Sequence, residues 1–162
     1  MTKFTHISND RARMVDIGGK GEVYREARAS GKIQLRTETL KAIHEGTVVK
    51  GNVLATARVA ATLAVKETPR LIPMCHPIPI SSVDVEFLES ESAVEAMVKV
   101  RSHGRTGVEM EALTGVSVAL LTIWDMVKSA EKDEKGQYPV TCISDIRVLE
   151  KKKGEPDIPE KT

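Results

Sequence analysis

A cysteine and a histidine stand side by side in LIPMCHPIPI (residues 71–80), crowded by three prolines. A thiol beside an imidazole can serve as a metal clip, as a nucleophile with its base, or as one wall of a binding site. Proline fixes φ and restricts the residue before it, so the spacing predicts a stiff, extended segment with His76 biased away from helix. A zinc site takes four ligands, usually as paired short spacings; here Cys142, His44 and His103 each stand alone, which argues against a metal. Side chains alternate along an extended chain, so Cys75 and His76 point to opposite sides and do not form a dyad. The pair reads as His76 facing a polar ligand while Cys75 packs. A structural loop with a satisfied histidine is the plain alternative.

A second group lies in one long apolar helix. Asp125 and Lys128 are three apart and share a face, following the run VALLTIW. They form either a surface ion pair or a carboxylate and an ammonium set against an apolar wall. In the second case the lysine pKa can be lowered, and the aspartate can orient or exchange a proton. At the other end of that helix stands GRTGVEMEA (residues 104–112), with Glu109 and Glu111 two apart. They share a face on an extended entry but not within a helix, where acids near the start are favoured by the macrodipole. At 1.5 Å per residue, a continuous helix separates Glu111 from Lys128 by about 25 Å. If both serve one small ligand, a second chain must complete the pocket.

Cations make the third group. Lys50 precedes Gly51 and a helix start, where backbone N–H groups favour anions. Arg25 and Arg28 fall on the first long strand, and Lys151, Lys152 and Lys153 close the last. Such a set can hold a phosphorylated ligand or form solvated surface. GGKG (residues 18–21) is not a phosphate-binding P-loop, because Met14 stands at its first glycine position and Gly21 at its Ser/Thr position.

These groups must be carried by regular elements. Residues 1–20 lack periodicity and read as an arm, with mobility expected. Residues 23–35 read as a strand, with Val23, Ala27 and Ala29 on one side and a turn or bulge at Gly31. Residues 37–44 read as a short helix capped by Thr37 and ended by Gly46. Residues 52–66 read as a helix with a stripe of Val53, Ala57, Ala60, Ala61 and Ala64. Strict alternation predicts strands at 82–88 and 94–101, joined as a hairpin across ESES. Residues 109–132 read as a long helix buried on more than one side, and 140–151 as a final strand. The polar tail 152–162 is expected to fray. The order β-α-α-β-β-α-β approximates a split β-α-β-β-α-β unit: an α+β sandwich, with an antiparallel sheet and helices packed on one face.

Bulk composition excludes several classes. The chain has 162 residues, the size of one domain. Its 24 basic and 23 acidic residues balance, and aromatics are only 3%, which argues against a nucleic-acid surface. Two cysteines make no disulfide framework and suit a reducing cytoplasm. MTKFTHISNDRARMVD shows no signal-peptide core. The apolar run 115–124 is expected to be too short to span a membrane, which takes about 20 residues.

Taken in order, RMVDIGGK, REARA, VKGNVLATARVA, LIPMCHP, GRTGVEMEALTGVSVALLTIWDM and VLEK resemble one family. This is the cyclic pyranopterin monophosphate synthases, the C accessory proteins of molybdenum cofactor biosynthesis. The resemblance runs from Thr5 to Lys151. It implies a ferredoxin-like fold in a homo-hexamer, a trimer of dimers with pockets at dimer interfaces. It implies a lyase that converts 3′,8-cyclised 7,8-dihydro-GTP into cyclic pyranopterin monophosphate and releases pyrophosphate. No resident cofactor or metal is implied; Mg2+ can accompany the polyphosphate. Neither nucleic acid nor membrane is an implied partner.

By resemblance, Asp125, Lys128 and Lys50 are catalytic, with the lysines as acid/base or electrophilic groups and Asp125 setting the protonation of Lys128. Met74, Cys75, His76, Met110 and Glu111 match substrate-binding positions, and Glu109, Arg25 and Lys151 match further polar pocket residues. The chain departs from the family after the last strand. Many members have K-S/T-G-G-K-S-G there, and this chain has Lys151-Lys152-Lys153-Gly154-Glu155-Pro156. The linker 133–144 is also longer than in shorter members. The competing readings are a non-catalytic binder of a phosphorylated nucleotide or pterin, which would not need Asp125 paired with Lys128, and a structural oligomer.

Overall fold

The computed structural model describes residues 7–8 and 11–155. A small hairpin, β1 (Ile7–Ser8) and β2 (Arg11–Ala12), precedes β3 (Val23–Gln34), α1 (Thr37–His44) and α2 (Val53–Leu71). Then come β4 (Ile80–Glu89), β5 (Ala93–Gly104), α3 (Glu109–Glu131) and β6 (Cys142–Gly154). The last four strands form one antiparallel sheet in the order β4-β5-β3-β6, so the described residues make an α+β unit with three helices.

Alternation decides which side of the sheet is covered. Ala27, Ala29 and Ile33 of β3 and Val94, Ala96, Val98 and Val100 of β5 are fully buried in a common core with α2 and α3. Each buried valine contributes roughly 1.5–3 kcal/mol, and small residues let the layers close. A Cβ on Gly115 would lie 2.9 Å from Val65 of α2 and 3.1 Å from Val98 of β5. The alternate residues carry charge: Arg101 donates to Glu26 at 2.9 Å, to Asp84 at 3.0 Å and to Ser82 at 3.2 Å. Helix α3 is long and apolar enough to cross a membrane by length and composition, contrary to the reading of the run 115–124. Its apolar residues are spent on the core instead: Val116, Ala119, Leu120 and Ile123 are wholly buried.

Gly31 marks a bulge, as expected, with the extra residue on β6. Ser30 pairs with Arg147 and Lys32 with Ser144, so Asp145 and Ile146 together oppose Gly31. Asp145 takes the left-handed conformation there, with φ of 56°. A Cβ on Gly31 would lie 2.9 Å from side-chain atoms of Ile146, Leu120 and Val116, so only glycine lets β6 and α3 come this close.

Several boundaries differ from the sequence reading. Thr37 is the first helical residue of α1 rather than its cap; Arg36 occupies the cap without a side-chain bond. Gly46 does end that helix, at φ of 68°. Its N–H donates to Ile43 at 3.1 Å and that of Thr47 to Ala42 at 2.9 Å, which satisfies the last carbonyls. Asn52 is the cap of α2, its side chain accepting from Ala55 N–H at 2.9 Å. Helix α2 runs past Lys66 to Leu71 and takes in Pro69 near its end, where one lost hydrogen bond is tolerable. The stiff segment expected at 71–80 therefore begins as the end of a helix and a turn, closed by Cys75 N–H donating to Ile72 at 3.0 Å. Lys152, Lys153 and Gly154 are not a frayed tail; they extend β6 opposite Glu26, Arg25 and Tyr24. The expectations for residues 1–6, 9–10 and 156–162 lie outside the described residues.

Candidate active site

The predicted polar residues gather at the two ends of α3. At its N-terminal end, a cavity of about 410 Å³ is lined by Met74, Cys75 and His76 from the turn after α2 and by Glu109, Met110 and Glu111 from the first turn of α3. The turn overrides the alternation expected of an extended strand, so Cys75 and His76 face the same space rather than opposite sides. Val15, Ile17 and Lys20 of the segment before β3 close another wall. Lys20 was passed over in the sequence because GGKG was weighed only as a P-loop. A lysine flanked by glycines on an aperiodic arm was the available signal.

A second cleft of about 340 Å³ shares Thr106, Gly107 and Glu109 with the first and is lined by Arg25 and Lys151–Lys153. Sheet register puts Arg25, Lys151 and Lys153 on one face. Arg25 lies opposite Lys153 and Ala27 opposite Lys151, and paired residues share a face. That is the face packed against α3. Lys151 Nζ reaches Glu109 at 2.9 Å, while Arg25 donates to the backbone oxygens of Gly104 and Arg105, each at 3.5 Å. Gly107 lies directly below this pair, and a Cβ there would displace the Glu109 carboxylate.

The two glutamates are helical and diverge in chemistry. Glu111 is 2% exposed. Burial pushes its pKa up from 4.5 to about 7, and the neighbouring Glu109 charge adds to the rise while its backbone hydrogen bond opposes it. Burial also pushes Glu109 upward, but the Lys151 hydrogen bond, its own backbone bond and the charges of Lys151 and Arg25 outweigh this, leaving it below the usual value. Burial, with Glu111 beside it, raises the Cys75 thiol, so Cys75 is not an activated thiolate.

At the C-terminal end of α3 stand Lys50, Asp125 and Lys128. Lys128 Nζ donates to Asp125 Oδ1 at 2.7 Å. Lys50 Nζ donates to Oδ2 of the same carboxylate at 2.9 Å and to its backbone oxygen at 2.7 Å. Gly51, at φ of 99°, turns the chain so that Lys50 reaches α3 rather than serving the start of α2, as the sequence suggested. Hydrogen bonds and charge from Lys128 and then Lys50 hold the Asp125 pKa down at about 2. The Lys128 pKa is raised by Asp125, so of the two alternatives the surface ion pair holds and the lowered lysine against an apolar wall does not.

Within one chain the two ends remain apart by the length of α3, about 25 Å from Glu111 to Lys128. One end offers a half-buried cavity with an ionisable glutamate and a cationic cleft. The other offers two ammonium groups sharing one carboxylate. The described residues hold no group of three or more His, Cys, Asp or Glu placed to bind a metal.

The model of the MoaC family matches residues 14–154. A probable cyclic pyranopterin monophosphate synthase of Methanoregula boonei is 72% identical over 155 residues, covering 96% of this chain and all of that protein. The protein of the same name from Methanospirillum hungatei is 71% identical, covering 94% of this chain and 98% of its own length. That from Pyrococcus abyssi is 60% identical, covering 92% and 94% respectively.

Proposed function

The chain belongs to the MoaC family, and from that premise we infer that it is a cyclic pyranopterin monophosphate synthase of molybdenum cofactor biosynthesis. Its reaction is that of a lyase: 3′,8-cyclised 7,8-dihydro-GTP is rebuilt into cyclic pyranopterin monophosphate, and pyrophosphate leaves. The observation that carries the mechanistic reading is the shared carboxylate. Asp125 touches both Lys50 and Lys128 at hydrogen-bond distance, so it brings two amino groups to one point and favours the charged form of Lys128. Such a pair can deliver protons to a rearranging ring and stabilise negative charge as a cyclic phosphate closes.

Met74, Cys75, His76, Met110 and Glu111 then form the wall against the base-derived ring. Arg25 and Lys151, the latter held by Glu109, lie where the polyphosphate would enter, and Mg2+ can arrive with it as part of the substrate. No resident cofactor is proposed. Because the two ends of α3 are far apart, the site is assembled between subunits, the lysine–aspartate end of one protomer meeting the cavity end of another. A homo-hexamer built as a trimer of dimers supplies such junctions, with a ferredoxin-like single catalytic domain over residues 1–162, acting in the cytoplasm without membrane or nucleic acid.

The test is to supply the cyclised dihydro-GTP and follow pyrophosphate and pterin product. Lys128→Ala should cut turnover by about 10²–10⁴-fold, the usual weight of a general acid or base, with an unchanged circular dichroism spectrum. Near-normal turnover in that variant would remove Lys128 from the chemistry. Substrate binding without release in the unaltered protein would instead support a nucleotide-binding protein.

A further inference from the structure

One buried acid lies outside both ends of the site. Glu131, the last residue of α3, is wholly inaccessible. Its carboxylate accepts the backbone N–H of Arg36 at 3.2 and 3.3 Å, one distance to each oxygen. It also accepts the hydroxyl of Thr141, itself only 5% exposed. Arg36 is the cap of α1 and makes no side-chain cap bond. Glu131 therefore supplies from α3 the acceptor for the cap residue's own N–H that a capping-box acid would supply locally, at the helix end that favours acidic groups.

What α1 carries is Lys50. The helix ends at Gly46, and the next residues lead through the turn at Val48 to Lys50, with Gly51 N–H donating to Val48 at 2.9 Å. Between this segment and the end of α3 lies a cleft of about 590 Å³, with Ala42, Val48 and Val49 on one side and Met126 and Ala130 on the other. Leu40 and Ile43 hold α1 to the core and Val48 packs against its edge, but Val49 is fully exposed and the cleft stays open between Val48 and Lys50. Two polar pins span it: Arg36 to Glu131 at one end, Lys50 to Asp125 at the other.

We propose that Glu131 is a positioning residue for the Lys50–Asp125–Lys128 group, fixing α1 on α3 so that Lys50 meets Asp125. This rests on the assignment of those three residues to the chemistry. Thr141 extends the brace to the chain entering β6.

The test uses the full chain and reads Asp125 directly. Glu131→Leu fills the space but accepts no hydrogen bond. Carboxyl NMR titration should show the Asp125 pKa rising toward its ordinary value as Lys50 departs. Turnover should fall roughly 10–10²-fold, as expected for a misplaced catalytic group, with substrate affinity kept. Lys50→Ala should then cost much less in the Glu131→Leu background than in the unaltered protein, because the two act through one contact. Glu131→Gln, which keeps an acceptor for Arg36, should restore the Asp125 titration. If Glu131→Leu does not fold, Thr141→Val, which removes one hydroxyl only, should shift Asp125 in the same direction by less. An Asp125 titration unchanged in the folded variants would overturn the proposal, as would full additivity with Lys50→Ala. Absence of turnover in the unaltered protein would count against the synthase reading alone, since the titration decides this inference independently.

Discussion

Replacing Glu111 by Gln removes a carboxylate that the fold holds at 2% exposure. Its pKa stands at about 7 in the folded chain against 4.5 for the free group. That difference corresponds to a stability cost on the order of 3 kcal/mol, at about 1.4 kcal/mol per pKa unit. The sign follows from proton counting. Between pH 4.5 and about 7 the folded state keeps the proton and the unfolded state loses it, so stability falls as pH rises through this window. Below it both states are protonated and the cost vanishes; above it the cost is complete. Glutamine mimics the neutral acid at every pH. Glu111→Gln should therefore match the unaltered protein at about pH 4 and exceed it by up to about 3 kcal/mol at pH 8. Urea denaturation of both proteins at each pH, at one fixed protomer concentration, measures the difference. A constant gap between pH 5 and 8 would refute the reasoning, because a carboxylate that ionises normally contributes no slope there.

Asp125→Asn should move the alkaline limb of kcat/KM to lower pH, because Lys128 loses the carboxylate that raises its pKa; a pH–rate profile with an unmoved limb would detach Lys128 from that limb. Gly31→Ala should destabilise the fold by about 1–3 kcal/mol, the usual cost of overpacking, since its Cβ would lie 2.9 Å from three side chains of α3 and β6. Thermal denaturation checks it, and an unchanged midpoint would mean that Val116, Leu120 and Ile146 can give way together.

Much of the fold was legible because the signals were local. The stripe Val53, Ala57, Ala60, Ala61 and Ala64 predicted α2, and all of these but the half-buried Ala60 are buried. Alternation from Val94 to Val100 predicted β5, and the even-numbered residues face the core. Misread boundaries came where a local rule met a tertiary one. The apolar stripe ended α2 at Lys66, yet packing of Val65 and Thr68, 1% and 0% exposed, carries the helix on to Leu71. The lysines of the supposed tail are drawn into β6 by twelve residues of β3 waiting to be paired.

The site divides in the same way. The sequence by itself determined which residues are available: the blocks holding Lys50, Cys75-His76, Glu109 to Glu111 and Asp125 to Lys128, and the helix that keeps the last two groups about 25 Å apart. Helical rise is a local property, so that separation could be read without coordinates. Only the tertiary structure decided who touches whom. Lys50 meets Asp125 across 75 positions of chain, and Arg101 finds Glu26 across the same span. Nothing local marks Glu131 as buried; only the fold closes Arg36 and Thr141 around its carboxylate. Periodicity and capping act over a few residues and leave a signature within them. Burial of a charge, or its rise in pKa, depends on groups brought in from distant segments, and no short stretch of sequence contains both partners.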